Sequence, residues 1–241
     1  LIRTAWVALV VLLSTLYFGL LAMGGALLRV RGRLYFHATQ RWGRSILRAS
    51  GTSVVTHGLE GVRWDAPQVL VCNHNSFYDV LAIAAVLPNP FSFVGKKELD
   101  SVPFFGQAWK AAGHISIDRS DRQRALASLR QAGAKLNRER GTVILFPEGT
   151  RSKDGRLLPF KKGAFVLAIE SGVPIVPAII QGSAPIIGNG GRIRAGTIHI
   201  HFGETVDPAG FGTVDELLSV VRSRMTTMLS AAGGDSPPSL P

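Results

Sequence analysis

The sequence predicts an α/β domain, with a mixed or largely parallel sheet flanked by helices, preceded by an N-terminal membrane helical element. Three observations predict it. Beyond residue 50, short apolar and β-branched runs alternate with longer stretches of helical character. Before it, Thr4 to Leu28 holds no charged residue over 25 positions. And 241 residues suffice for one good-sized core, so one catalytic-size domain plus a membrane element is the economical division.

Taken in order, the charge-free stretch would span roughly 37 Å as a helix, against a hydrocarbon core of about 30 Å. It exceeds the apolar run of a cleaved signal peptide, usually about 7–15 residues. Arg29, Arg31, Arg33, Arg41, Arg44 and Arg48 follow, interleaved with Leu34, Tyr35, Phe36, Trp42, Ile46 and Leu47. That mixture suits an amphipathic helix at headgroup level, its arginines reaching lipid phosphates. Two geometries fit: one span followed by an interfacial helix, or a helical pair dipping into one leaflet. In both, the arginine flank puts the following domain on the cytoplasmic side. Residues 1–50 are therefore the expected anchor, 51–232 the catalytic domain and 233–241 a disordered tail rich in Gly, Ser and Pro.

Strands are expected at Ser53 to His57, Val69 to Cys72, Phe91 to Val94, Ile115 to Ile117, Val143 to Phe146, Ile175 to Ile180 and Thr197 to Phe202. Ser76 or Asn75 can cap a helix running to about Leu87. Ser120 with Gln123, and Thr213 with Glu216, have capping-box spacing for helices over about 121–137 and 214–231. In Val173-Pro174-Ile175-Val176-Pro177 the prolines argue against a central strand along the whole length, and the apolar side chains suit either the core or the wall of an apolar groove.

A net charge of +11 and a pI near 10.6 require an anionic partner: nucleic acid, an anionic membrane or a phosphorylated substrate. No zinc-finger spacing, basic zipper or aromatic RNA-binding signature is present, and the mean hydropathy of +0.22 with the apolar N-terminus points to the membrane instead of nucleic acid. The single cysteine, Cys72, forbids an internal disulfide. Its thiol is a conceivable nucleophile beside His74, but a strand position suits it to the core. His199 and His201 alternate on one strand face without a third ligand at metal-binding spacing.

Chemistry concentrates in Asn73-His74-Asn75-Ser76-Phe77-Tyr78-Asp79. Five residues along a helix turn roughly 500°, so His74 and Asp79 cannot meet within one helix. With the strand ending at Cys72 and a helix starting near Ser76, a loop can turn the imidazole onto the carboxylate, which would fix its tautomer and support a proton taken by the other nitrogen. Phe146-Pro147-Glu148-Gly149-Thr150-Arg151 leaves another strand end; Gly149 permits a tight turn, and Arg151 offers a planar fork that matches phosphate. Lys96, Lys97, Lys161 and Lys162 add positive charge, of which one or two are expected to touch a phosphate.

These blocks, with Lys96-Lys97-Glu98-Leu99, Pro103-Phe104-Phe105-Gly106, Gly113-His114-Ile115-Ser116-Ile117-Asp118-Arg119 and the proline block, resemble in order and spacing the motifs of glycerolipid acyltransferases, specifically the bacterial 1-acylglycerol-3-phosphate acyltransferases, over roughly residues 50 to 205. Ser116 departs from the resemblance, which has a bulky apolar residue there. The resemblance implies a glycerol-3-phosphate acyltransferase-like fold at the inner membrane. It implies acyl transfer from acyl-CoA or acyl carrier protein to the 2-hydroxyl of lysophosphatidic acid, with no cofactor and no metal. His74 and Asp79 would be catalytic; Lys96, Gly113, Asp118, Arg119, Glu148, Gly149, Thr150 and Arg151 would bind substrate. Backbone amides of the Glu148-Gly149 turn are a candidate oxyanion hole. A different acceptor, such as glycerol 3-phosphate or a lyso-aminolipid, and a hydrolase using the same pair are the alternatives. No Gly-x-Ser-x-Gly elbow occurs, which argues against a serine acyl-enzyme.

Overall fold

The apolar run folds as helix α1, Ile2–Leu27, whose outward side chains such as Trp6, Leu12 and Tyr17 are more than half exposed. The structure is a computed structural model and describes residues 1–28, 30, 33–118 and 120–233. Among these, α1 is the one helix long and apolar enough to cross a membrane. Gly19, Ala22 and Gly25 form its buried side. A Cβ on Gly25 would come within 2.9 Å of Leu34 and 3.3 Å of the Tyr35 hydroxyl, so the small residue sets how closely the next helix approaches.

That helix, α2, spans Arg33–Ser50, and its apolar face is not given to lipid as expected. Ile46 and Leu47 are buried in the same apolar cluster as the sheet, and Arg44, expected at lipid phosphates, donates from Nε to the Ala85 carbonyl at 2.9 Å. Gln40 likewise donates to the Leu87 carbonyl at 3.0 Å. Both satisfy carbonyls at the end of a helix that has no following turn to do so. Burial of Ile46 alone is worth about 1.5–3 kcal/mol. The arginine–aromatic pattern thus reads as much core as interface.

The rest alternates as foreseen: β1 (Thr52–His57), β2 (Gln68–Cys72), α3 (Phe77–Val86), β3 (Phe91–Lys96), α4 (Phe105–Ala111), β4 (Ile115–Ile117), α5 (Arg122–Glu139), β5 (Thr142–Leu145), α6 (Gly163–Ser171), β6 (Ile175–Gln181), β7 (Gly196–Phe202) and α7 (Val214–Ala231). The strands form one sheet in the order β1-β7-β6-β2-β5-β3-β4, parallel except between β6 and β7. Apolar side chains cover both faces. Leu70 and Cys72 of β2 face the cluster with α2 and α3, while Val69 and Val71 face the one with α5, α6 and α7, which is why β2 is apolar throughout.

The proline block is strand only in part, as expected: β6 begins at Ile175 and leaves Val173 and Pro174 outside it. Pro177 is accommodated within β6 because the missing donor falls where β7 has ended: the ladder runs from Ala178 paired with Phe202, then resumes one residue out of register at Ile175 paired with Val206. Its apolar side chains, including Val176, pack in the core. One local expectation fails. Helix α5 is capped by Asp121, whose Oδ1 accepts from the amides of Gln123 and Arg124, not by Ser120, which bonds back to Asp118 instead. The Thr213–Glu216 box of α7 forms as expected. Of the predicted tail, residues 234–241 lie outside the described residues, as do Arg29 and Arg31.

Candidate active site

Sheet register brings the chemistry together. Val71 of β2 pairs with Leu145 of β5, so His74 and Glu148, each three residues further on, emerge side by side from two parallel strands. Ser76 caps α3 and leaves Asp79 in its first turn, completing a capping box. One carboxylate oxygen, Asp79 Oδ2, then accepts from the amides of Asn75 at 2.7 Å and Ser76 at 2.8 Å and from His74 Nδ1 at 2.8 Å. Since that oxygen already faces two donors, it can only accept, which places the imidazole hydrogen on Nδ1 and leaves Nε2 with its lone pair. Asp79 is fully buried, while the His74 side chain keeps 19% of its surface exposed. The Phe146 ring stacks on the imidazole at 4.2 Å. The His74 backbone is held on both sides, its N–H donating to Glu148 Oε1 at 2.9 Å and its carbonyl accepting from Ser152 N at 2.8 Å. Such a group has one free nitrogen and little freedom to move it.

A cavity of about 580 Å³ opens beside His74. Gly149, Thr150, Arg151 and Lys96 lie on its polar side; its apolar wall includes Phe18 and Ala22 of α1 and Trp42 of α2. Helices α1 and α2 therefore build part of the site, which the sequence did not reveal although the aromatic residues between the arginines were a signal. Trp42 Nε1 donates to Thr15 Oγ1 at 3.0 Å, locking the two helices where they meet the cavity.

Glu148 is placed differently from the expected substrate contact. It is 3% exposed; Oε1 takes the His74 amide and Oε2 the Leu158 amide at 3.1 Å. Burial pushes its carboxyl up, and those two amides pull it partly back. Its role is to brace the base loop. The Gly149 amide, a candidate oxyanion donor, donates to the Phe146 carbonyl at 3.1 Å within the turn. Gly113 does not reach the dyad: its carbonyl accepts from Ser92 Oγ at 2.9 Å, and it lines a second cavity of about 420 Å³ that shares Tyr35 and Ala112 with the first. Asp118 pairs with Lys97 at 3.5 Å and with Ser120, and the Ser120 bonds hold its carboxyl below the ordinary range. Arg119 lies outside the described residues. Ser116 accepts from Trp109 Nε1 and donates to Asp100 at 2.6 Å, so its hydroxyl fixes two neighbours.

The remaining candidates separate cleanly. Cys72 has no exposed surface, and burial, then the Asp79 charge, push its thiol well up, so it is core and no nucleophile. His199 and His201 gain a neighbour that spacing could not reveal, His57 on β1. Its ring stacks on His201 at 4.3 Å and its Nε2 lies 3.3 Å from His199 Nδ1. Stacked rings do not converge, and among the described residues no three-donor metal group occurs.

A buried carboxylate orients the histidine beside a partly apolar cavity, an arrangement that leaves one imidazole nitrogen able to take a proton. The family model described as Acyltransferase matches residues 53–181, which contain every element of this site outside α1 and α2. The chain belongs to that family. It is 38% identical over 156 residues to a 1-acyl-sn-glycerol-3-phosphate acyltransferase of Cocos nucifera, covering 64% of this chain and 49% of that one. It is 35% identical over 159 residues to the protein of that description from Escherichia coli, covering 65% and 64%. The chain thus spans about half to two thirds of the length of these relatives. Its fold matches the crystal structure of the 1-acyl-sn-glycerophosphate (LPA) acyltransferase PlsC from Thermotoga maritima, with a TM-score of 0.82 at 26% identity over 98% of this chain and 96% of that one.

Proposed function

We propose that the protein transfers an acyl chain from a thioester of coenzyme A or acyl carrier protein to the 2-hydroxyl of lysophosphatidic acid, giving phosphatidic acid. The observation that carries this is the His74–Asp79 pair at the end of a cavity walled by α1 and α2. The relatives' activity supports the same acceptor. In the step itself, His74 Nε2 takes the hydroxyl proton as the oxygen attacks the thioester carbonyl. Asp79 supports the imidazolium that forms. The tetrahedral intermediate collapses with cleavage of the C–S bond, and the imidazolium returns its proton to the departing thiolate. The thioester is already activated, so this reading requires no cofactor and no metal.

Lys96, Thr150 and Arg151 stand where the acceptor's phosphate would enter, with the Arg151 fork suited to two of its oxygens. Residues 1–50 would hold the site against the bilayer, so that a lysolipid slides from the leaflet into the cavity without crossing water. The arginines of α2 favour a cytoplasmic catalytic domain at the inner membrane. Labelled acyl thioester with and without lysophosphatidate tests the reading. Phosphatidate formed only with acceptor supports it; free fatty acid formed regardless of acceptor, or no turnover, overturns it.

A further inference from the structure

The segment after Arg151 is stapled back onto the turn that carries it. Leu158 N donates to Glu148 Oε2, and Lys161 N donates to the Pro147 carbonyl at 2.8 Å. The end of the Lys161 side chain then lies across Gly149: a Cβ placed on that glycine would meet Lys161 Cε and Nζ, both at 2.8 Å. Gly149 has φ +68°, a backbone conformation that strains any L side chain there, while the lysine end could move aside. Gly149 and Arg151 both line the cavity beside His74, so the end of the exposed Lys161 side chain lies next to one of its lining residues.

Charge pairing divides the four lysines that sequence alone left equivalent. Lys162 is held by Asp215 at 2.7 Å and Lys97 by Asp118 at 3.5 Å, whereas Lys96 and Lys161 have no carboxylate partner among the described residues. Glu148, on the same turn, is buried with its two oxygens accepting from backbone amides. An exposed ammonium beside the cavity, without a carboxylate partner among the described residues, is available to an anion that arrives from outside. A phosphomonoester carries close to two negative charges and three equivalent oxygens at neutral pH. The Arg151 fork can take two of those oxygens, which leaves the third and much of the charge for a point cation.

We infer that Lys161 is a substrate-positioning residue that, with Arg151 and across Gly149, forms the seat of the acceptor's phosphomonoester and separates it from uncharged headgroups. The inference rests on the acceptor proposed above and adds a further cation to Lys96 and Arg151 at its site. The buried Glu148 carboxylate is what couples this seat to the base, since one oxygen holds the His74 amide and the other the strap that carries Lys161.

Equilibrium binding to the full-length chain in neutral detergent micelles tests the seat whether or not turnover occurs. Lysophosphatidate is titrated by calorimetry into wild type, Lys161→Ala, Lys161→Arg and Lys162→Ala, with monoacylglycerol of the same chain as the uncharged comparison. Losing one bond between charged groups should weaken lysophosphatidate binding about 10- to 100-fold in Lys161→Ala. Monoacylglycerol binding should stay within about twofold. Lys161→Arg should recover most of the affinity, and Lys162→Ala should match wild type. The inference is overturned if Lys161→Ala binds lysophosphatidate as wild type does, if it loses both ligands equally, or if Lys162→Ala is as damaging. Thioester added to the same samples tests the acyl-transfer reading separately: wild type that binds lysophosphatidate through Lys161 yet forms no phosphatidate would refute the activity and leave the seat.

Discussion

Asp79→Asn separates the two services a carboxylate can give a histidine. The usual expectation is that the amide turns its NH₂ to the ring and holds the wrong tautomer. Here the geometry forbids that. The oxygen facing Nδ1 also accepts from the amides of Asn75 and Ser76, and an NH₂ in its place would meet two donors in a buried loop. The asparagine must therefore keep its oxygen at that position, with the correct tautomer and the loop retained. What is lost is the charge that supports the imidazolium. For unit charges about 4 Å apart at an effective dielectric of about 20, that support is worth about 4 kcal/mol. At about 1.4 kcal/mol per decade, this is roughly a thousandfold in rate, reduced toward a hundredfold by the dipole of the amide oxygen. The assay is single-turnover acyl transfer with enzyme in excess, beside thermal unfolding of both proteins. A hundred- to thousandfold slower chemical step is expected, with a stability loss of about 1–3 kcal/mol because the NH₂ falls where Asp79 Oδ1 is buried without a partner. A loss below about tenfold would show that Asp79 does not support charge on His74, and a larger loss of stability would show that the loop did not keep its bonds.

Glu148→Gln supplies one acceptor where two amides require two, so one buried N–H is left against a donor; a stability loss of about 1–3 kcal/mol by urea unfolding is expected, with a slower chemical step, and wild-type values for both would refute the bracing role. Ile46→Ala, in a helix that looks peripheral by sequence, should cost about 2–5 kcal/mol because the side chain is 1% exposed in the sheet's own cluster. Removal of residues 1–50 should for the same reason abolish cooperative unfolding, and a soluble, cooperatively folded remainder would refute it. His201, whose charged form is disfavoured first by burial and then by His57 and His199 on the same sheet face, binds its proton less readily folded than unfolded. The unfolded chain then takes up the extra proton as pH falls through the ordinary value of 6.5, so stability should drop below that pH and level off beneath the folded value. His201→Gln should flatten that part of a melting-temperature profile from pH 8 to 5; an unchanged slope would rule the group out.

How much was legible from the chain follows from the range of the interactions concerned. Strands β1 to β7, helix α7 with its Thr213–Glu216 box and the Ser76 cap are local matters of pattern and spacing, and the sequence by itself determined them. The His74–Asp79 contact was legible for the same reason, since strand, loop and cap lie within a dozen residues and leave the loop only one way to turn. How Pro177 is accommodated inside β6 was not legible, because a missing donor matters only relative to a neighbour's end, and where β7 stops is a property of the sheet. Glu148 and Arg151 share one short motif, yet the fold buries one as a brace and sets the other on the cavity wall, a division set by the β2–β5 register. Gly113 and Asp118 followed the same motif logic and were drawn elsewhere, to Ser92, Lys97 and Ser120. Tertiary structure alone decided that α2 is core as well as surface, that α1 walls the cavity, that His57 joins His199 and His201, and which lysines are already paired. Each of these joins residues dozens of positions apart, and a side chain's partners at that range are chosen by packing of the whole chain, which no window of sequence contains.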